Sequence, residues 1–288
     1  MSPEKKSAEA GDRIAKVMAR AGLCSRRDAE KWILLGRVAI NGKVLESPAV
    51  TVKPGDDVRV DGQALPTPDR ARLWRFHKPK GLVTTHKDEK GRTTVFEVLP
   101  SHLPRVVSIG RLDLTSEGLL LLTNDGGLAR ELEHPSRGWV RRYRVRVHGR
   151  VENSTLARLK RGVTVEGVRY GPIDAAIDST MADGQEKNKG GSKSNTWVTV
   201  ALSEGKNREV RKVMEFLGLT VNRLIRVSYG PFQLGKLEPG GLEEVPAHVA
   251  RQQLGGATPT GFSLKRKRAK DGPATKKRDE KATDKAES

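Results

Sequence analysis

The spacing of apolar residues predicts most of the local structure. Ile14, Val17, Met18 and Ala21 recur at helical intervals, and Gly22 supplies a left-handed stop. Ser25 is a good N-cap for a second helix, with Ala29, Ile33 and Leu34 inward and Gly36 closing it. Val38 and Ile40 alternate into Asn41-Gly42, a strong hairpin signal, and Pro54-Gly55 turns the chain into Val58 and Val60. The pattern predicts a small helix–helix–strand module over residues 12–62, followed by a linker, residues 63–70, that holds Pro66 and Pro68. A second unit, residues 71–250, mixes short strands with a few helices. There Leu119-Leu120-Leu121-Leu122 reads as a buried strand, which Asn124-Asp125-Gly126-Gly127 turns into a helix. Arg141 to Val147 alternates, with Tyr143, Val145 and Val147 on one face and three arginines on the other. Val210, Val213, Met214 and Leu217 form an apolar helix face closed by Gly218.

Three stretches, residues 1–11, 183–195 and 255–288, are too poor in apolar residues to order, and the second reads as a flexible hairpin tip. The formal net charge is +19, a field that concentrates polyanions. Ser263 to Ser288 holds ten Lys/Arg and five Asp/Glu, which leaves +14 of the +19 on the rest of the chain. Nucleic acid is therefore the leading partner class. No basic amphipathic helix stands out, which ranks a membrane surface behind it. Within the tail, Lys265-Arg266-Lys267-Arg268 either raises nonspecific RNA affinity through counterion release or simply keeps the chain in solution. Cys24 is the only cysteine, so no intrachain disulfide forms. With no run of transmembrane length and no apolar core in the first eleven residues, a soluble cytoplasmic protein is expected.

Arg26 and Arg27 fall in the first turn of the second helix, where the helix dipole disfavours cations. A bound phosphate would remove that conflict, since a helix N-terminus is itself an anion site. Charge alone is equally consistent with a solvated face. However, the stretch from Arg13 to Val60, with its SRR-AE--I--GRV-ING core, resembles the S4 RNA-binding domain almost end to end. That resemblance implies contact with structured RNA through shape and phosphates, with little base reading.

Gly110-Arg111-Leu112-Asp113-Leu114-Thr115-Ser116-Glu117-Gly118, then LLLLTNDG, sets one carboxylate beside an arginine on a glycine-flanked loop. A core strand that anchors a charged loop is a common way to hold a reactive group. Spacing alone also allows an ordinary Asp–Arg ion pair. The segment is similar over its whole length to the signature motif of RNA pseudouridine synthases of the RsuA/RluB branch. Three others agree in order. His77-Lys78-Pro79-Lys80-Gly81 resembles the family's KP-G motif, and Arg141 to Val147 resembles the strand that carries its active-site tyrosine. Glu204 to Met214 resembles its third motif, with the active-site base at Arg211. Similarity continues through NRLIRVSYGPFQLGKLEPGGLEEV, so with the S4 module it covers nearly all of residues 12–250.

The resemblance implies an α+β fold, with a small S4 domain before a catalytic domain on a mixed, mainly antiparallel sheet. It implies isomerisation of uridine to pseudouridine, with Asp113, Tyr143 and Arg211 catalytic. Arg111, Arg208, Lys206, Lys78, Arg26 and Arg27 are then expected at the RNA. The reaction cuts an N-glycosidic bond, turns the base and forms a C–C bond, so it needs no redox change and no cofactor. His77, His86, His102, His134, His148 and His248 show no metal-ligand spacing. Asp113 suits the role of nucleophile or of base, and both stay open. KDEKGRTTVFEVLP, HPSRGWVRRYRVRVHG and EGKNREVRKVMEFLGLTVNRLIRVSYG are most similar to the large-subunit side of the branch, which points to 23S rRNA and a monomeric enzyme. The same chemistry on 16S rRNA, and a non-catalytic S4 assembly protein, are the alternatives.

Overall fold

A computed structural model describes residues 11–180 and 194–254. The expectations for residues 1–10, for most of 183–195 and for the basic tail fall outside them. In the N-terminal module, helices α1 (Ile14–Arg20) and α2 (Arg26–Leu34) share a core with a four-stranded antiparallel sheet. Its order is Lys43–Val44, Val38–Ile40, Val58–Val60, Gln63–Ala64. Ile14, Met18, Ala29, Ile33 and Val38 are wholly buried there. The Ser25 hydroxyl caps α2 by accepting from Asp28 N–H at 3.1 Å. Asn41 and Gly42, with φ of 50° and 80°, make the tight hairpin their sequence announces. Asp61 and Gly62 repeat those angles, so Gln63–Ala64 pairs with Arg59–Val60 and is a strand where a linker was expected. Asp-Gly meets the same demand for two left-handed residues as Asn-Gly does.

The larger unit is α+β and rests on one nine-stranded sheet. Numbered in chain order, its strands are β1 (Leu73–Lys78), β2 (Val107–Ile109), β3 (Glu117–Thr123), β4 (Arg141–Gly149), β5 (Ile173–Ile177), β6 (Ser194–Leu202), β7 (Thr220–Tyr229), β8 (Phe232–Gln233) and β9 (Leu242–Glu244). The sheet runs β5-β6-β4-β7-β3-β1-β9, with β2 beside β3 and β8 beside β7. Only the β3–β7 pairing is parallel, as expected for a mixed, mainly antiparallel sheet. Helices α3 (Gly126–Glu133), α4 (Asn153–Arg158), α5 (Glu209–Phe216) and α6 (Ala247–Gln253) cover it.

Strand β3 is buried on both faces, which explains a continuous leucine run where a half-exposed strand would alternate. Leu119 and Leu121 pack with Leu128 and Leu132 of α3 and Ala250 of α6. Leu120 and Leu122 pack with Trp74, Phe76, Val95 and Val106 in a separate cluster. At the other end of the sheet, Val145, Val147, Val198 and Val200 form a core with Leu156 of α4 and Val213 and Met214 of α5.

One row of residues crosses four strands. Lys78 of β1 pairs with Gly118 of β3, Gly118 with Arg226 of β7, and Arg226 with Tyr143 of β4. Between β4 and β7 the register shifts at this row, because Arg142 pairs with Ser228 and Tyr143 with Arg226, leaving Val227 over. Such a bulge twists a strand locally and re-aims its side chains.

Candidate active site

The loop from Gly110 to Ser116 joins β2 to β3, and every carbonyl from Leu112 to Ser116 is held from outside. Gly110 N–H donates to Glu133 Oε1 of α3 at 2.6 Å. The Thr84 hydroxyl donates to Leu112 O at 2.9 Å and accepts from Leu112 N–H at 3.4 Å. Lys78 Nζ donates to Asp113 O at 3.1 Å and to Ser116 O at 2.9 Å. Gly81 N–H donates to Leu114 O at 2.8 Å, and Arg211 Nη2 to Thr115 O at 3.0 Å. These clamps use the loop's main chain alone, so the Asp113 carboxylate is fixed in place and left about one-third exposed.

Lys78 corrects an expectation. The resemblance puts it at the RNA, whereas it is wholly buried beneath the loop. Its third proton goes to Pro79 O at 3.1 Å, so three carbonyls match the three N–H donors of an ammonium. Burial pushes the ammonium down to about 8, against the upward pull of Asp113 and Glu117. Above that pH the neutral amine has two protons for three carbonyls, and turnover is expected to fall. The linked stability has the opposite sign. Between about 8 and the ordinary 10.5 the unfolded chain binds more protons, so this group adds stability as pH rises through that window. Lys78→Met should erase the alkaline limb and slow turnover by about 10²-fold through a displaced loop. Paired pH–rate profiles check this, and an alkaline limb that persists unchanged in the Met variant refutes it.

A cavity of about 450 Å³ opens over the loop, between β4, β7 and residues 205–210. Asp113, Tyr143, Arg111, Lys206 and Arg208 all line it. The ion pair to Asp113 comes from Arg208, whose Nη1 is 3.7 Å from Oδ2. Arg211, expected in that place, lies behind the wall and binds main chain, with Nη1 on Val221 O at 3.2 Å and Nη2 on Thr115 O. Burial and then Arg208 lower its pKa, while Asp113 raises it.

Arg208 takes a left-handed conformation (φ 51°) as the residue before α5, which costs a non-glycine residue about 1 kcal/mol or more. Glu209 secures this turn, its Oε2 accepting from Lys206 N–H at 2.9 Å. Burial pushes the Glu209 carboxyl up. The Lys206 ammonium stays at the rim, on Arg169 O at 2.6 Å and Glu204 at 2.9 Å. Among the lining residues that sequence reasoning missed are Arg141, Arg226 and Tyr229. The available signal was Arg226, a cation two residues from buried Leu224 on a strand and hence in phase with it.

A second cavity, about 1100 Å³, lies between the N-terminal module and the catalytic unit. Eight lysines and arginines line it against three carboxylates. Exposed Arg26 and Arg27 face it from α2, Arg105 and Arg130 from the opposite side.

Comparison with known proteins agrees with this architecture. Residues 72–216 match the RNA pseudouridylate synthase family, and residues 12–58 match the S4 domain. An uncharacterised RNA pseudouridine synthase of Rickettsia prowazekii is 44% identical over 242 residues, 84% of this chain and 97% of that one. Ribosomal large subunit pseudouridine synthase B of Salmonella typhimurium is 42% identical over 236 residues, 80% of this chain and 77% of that one. A crystal structure of a pseudouridylate synthase shares the fold, with a TM-score of 0.57 at 24% identity, over 84% of this chain and 99% of that chain. The chain belongs to the RNA pseudouridylate synthase family. It is an RNA pseudouridine synthase that carries an S4 domain.

Proposed function

We propose that this enzyme isomerises one uridine of large-subunit (23S) ribosomal RNA, with Asp113 as the catalytic carboxylate. One observation carries the reading: Asp113 stands on a loop clamped by its main chain, with its carboxylate in the same cavity as Tyr143. The large-subunit target is supported by relatives named ribosomal large subunit pseudouridine synthase B, 42% identical over about four-fifths of the chain.

The chemistry follows from that placement. The target uridine leaves its stack, at a cost that stacking and phosphate contacts offset. Tyr143 stacks on the extruded uracil and assists loss of the C5 proton. Asp113 acts as nucleophile on the sugar or as base, with the Arg208 guanidinium 3.7 Å from its carboxylate. Arg211 acts through the loop it clamps. Arg111, Lys206 and Arg208, all exposed at the cavity, take the flanking phosphates, and Arg26 and Arg27 take phosphates of the adjoining RNA. The S4 unit (residues 12–62) thereby raises the effective concentration of target at the catalytic unit, residues 71–250. No helix among the described residues is long and apolar enough to cross a membrane. The enzyme works on this reading as a cytoplasmic monomer.

Pseudouridine mapping of 23S and 16S transcripts incubated with the pure protein tests the proposal. One new site in 23S and none in 16S is expected. A site in 16S alone moves the target to the small subunit, and conversion of no RNA at all ends the reading.

A further inference from the structure

Arg226 is a buried cation with no part in the mechanism just described. It is 3% exposed, and its Nε donates to Leu119 O at 2.8 Å. Its guanidinium lies 5.1 Å over the Tyr229 ring, and Arg141 covers the same ring at 4.8 Å. Its Nη2 is shut from solvent and has no hydrogen-bond partner among the described residues. Yet the residue lines the cavity that holds Asp113 and Tyr143, and it pairs with Tyr143 across β4 and β7. Burying a guanidinium donor without an acceptor is costly, so the arrangement suits a group that receives an acceptor from the cavity.

Depth identifies that acceptor. A nucleotide entering base first leaves its phosphates at the mouth, where Arg111, Lys206 and Arg208 are exposed. The buried wall meets the uracil ring, whose acceptors are its two carbonyl oxygens. Building on the pseudouridine reading, we infer that the Arg226 guanidinium donates to a uracil carbonyl oxygen and stabilises the charge the ring carries while detached from the sugar.

When the N1–C1′ bond breaks, its electron pair stays with uracil and spreads over N1, O2 and O4. C5 then supplies the pair that forms C5–C1′, the C5 hydrogen leaves as a proton, and N1 takes one up. Atoms and charge balance with no added reactant, whichever role Asp113 takes. A preorganised cationic donor at the carbonyl oxygen acts where charge develops and is worth far more there than in water. Its bond to Leu119 O and its stacking on Tyr229 hold that donor still.

The test compares Arg226→Ala and Arg226→Gln with wild type on an RNA that wild type converts, by single-turnover rate, RNA affinity and thermal midpoint. Loss of a charge-stabilising donor slows the chemical step by about 10²- to 10³-fold. RNA affinity should stay within about threefold, because phosphates dominate it. Added guanidinium ion should restore the Ala variant by about tenfold or more, which a purely structural role would not allow. A rate near wild type in Arg226→Gln, a loss seen in affinity with the rate kept, or an Ala variant unmoved by guanidinium overturns the inference. If the Ala variant does not fold, the Gln variant decides: a slow rate at unchanged affinity and midpoint supports the role. Failure of wild type on every RNA would instead remove the pseudouridine reading itself.

Discussion

Asp113→Asn should abolish isomerisation and leave RNA binding intact. Asparagine keeps the shape of the side chain and removes the charge that the proposed nucleophile or base requires, so turnover is expected to fall by at least about 10³-fold. The fold should barely register the change, because Lys78, Gly81, Thr84 and Arg211 hold the loop through its main chain. The lost ion pair with Arg208 joins groups 34% and 47% exposed and is worth below about 1 kcal/mol. Removing a negative charge from a cavity walled by Arg111, Lys206 and Arg208 should tighten RNA binding if it changes it at all. Conversion of uridine and gel-shift affinity, measured on one RNA, separate the two effects. Residual turnover near wild type would move the chemistry to another residue, and equal loss of binding would make Asp113 a folding residue only.

What the sequence revealed tracks how local each interaction is. The leucine run of β3, the Ser25 cap, the turn at Asn124-Asp125-Gly126-Gly127 and the Asn41-Gly42 hairpin depend on near neighbours, and all were legible. The loop motif announced Asp113 because residues 110–118 are contiguous. Lys78 was misplaced because its partners are carbonyls of Asp113 and Ser116, 35 and 38 residues away, and a main-chain acceptor leaves no mark in a sequence. The exchange of Arg208 and Arg211 has the same source. Helical spacing puts both near the apolar face of α5, and only the left-handed turn at Arg208 decides which guanidinium reaches the carboxylate. Arg226 stayed hidden for a different reason. In RLIRVSY, Leu224 and Arg226 share one phase while Ile225 and Val227 offer an equally apolar second phase. The register shift at Val227, invisible in composition, further obscures which face turns inward.

Gly118→Ala should be the most destabilising single methyl group in the catalytic unit. Gly118 has φ of 102°, a conformation that side chains other than glycine rarely adopt, which costs about 1–3 kcal/mol. The added Cβ would also stand 2.7 Å from Arg226 N and closer still to Arg226 O. Those atoms are backbone of the neighbouring strand, so no side chain can rotate away, and overpacking adds about 1–3 kcal/mol. Three bonds from Arg223 to Glu117, Nε to Oε1 at 3.1 Å and to Oε2 at 3.2 Å and Nη2 to Oε2 at 2.9 Å, brace the same strand pair against separation. The expected cost is about 3–5 kcal/mol, a midpoint lowered by roughly 10 °C in a unit of this size. The damage also falls on function, because Gly118 sits in register between Lys78, which anchors the Asp113 loop, and Arg226. Below the midpoint, turnover should still drop by about 10²-fold from misplacement. Gly110→Ala is the control: φ is 70° there too, but nothing lies within 4 Å of the added carbon, so only the conformational cost of about 1–2 kcal/mol remains. Thermal unfolding of both variants measures the difference, and equal midpoints would mean that β3 and β7 have room to part.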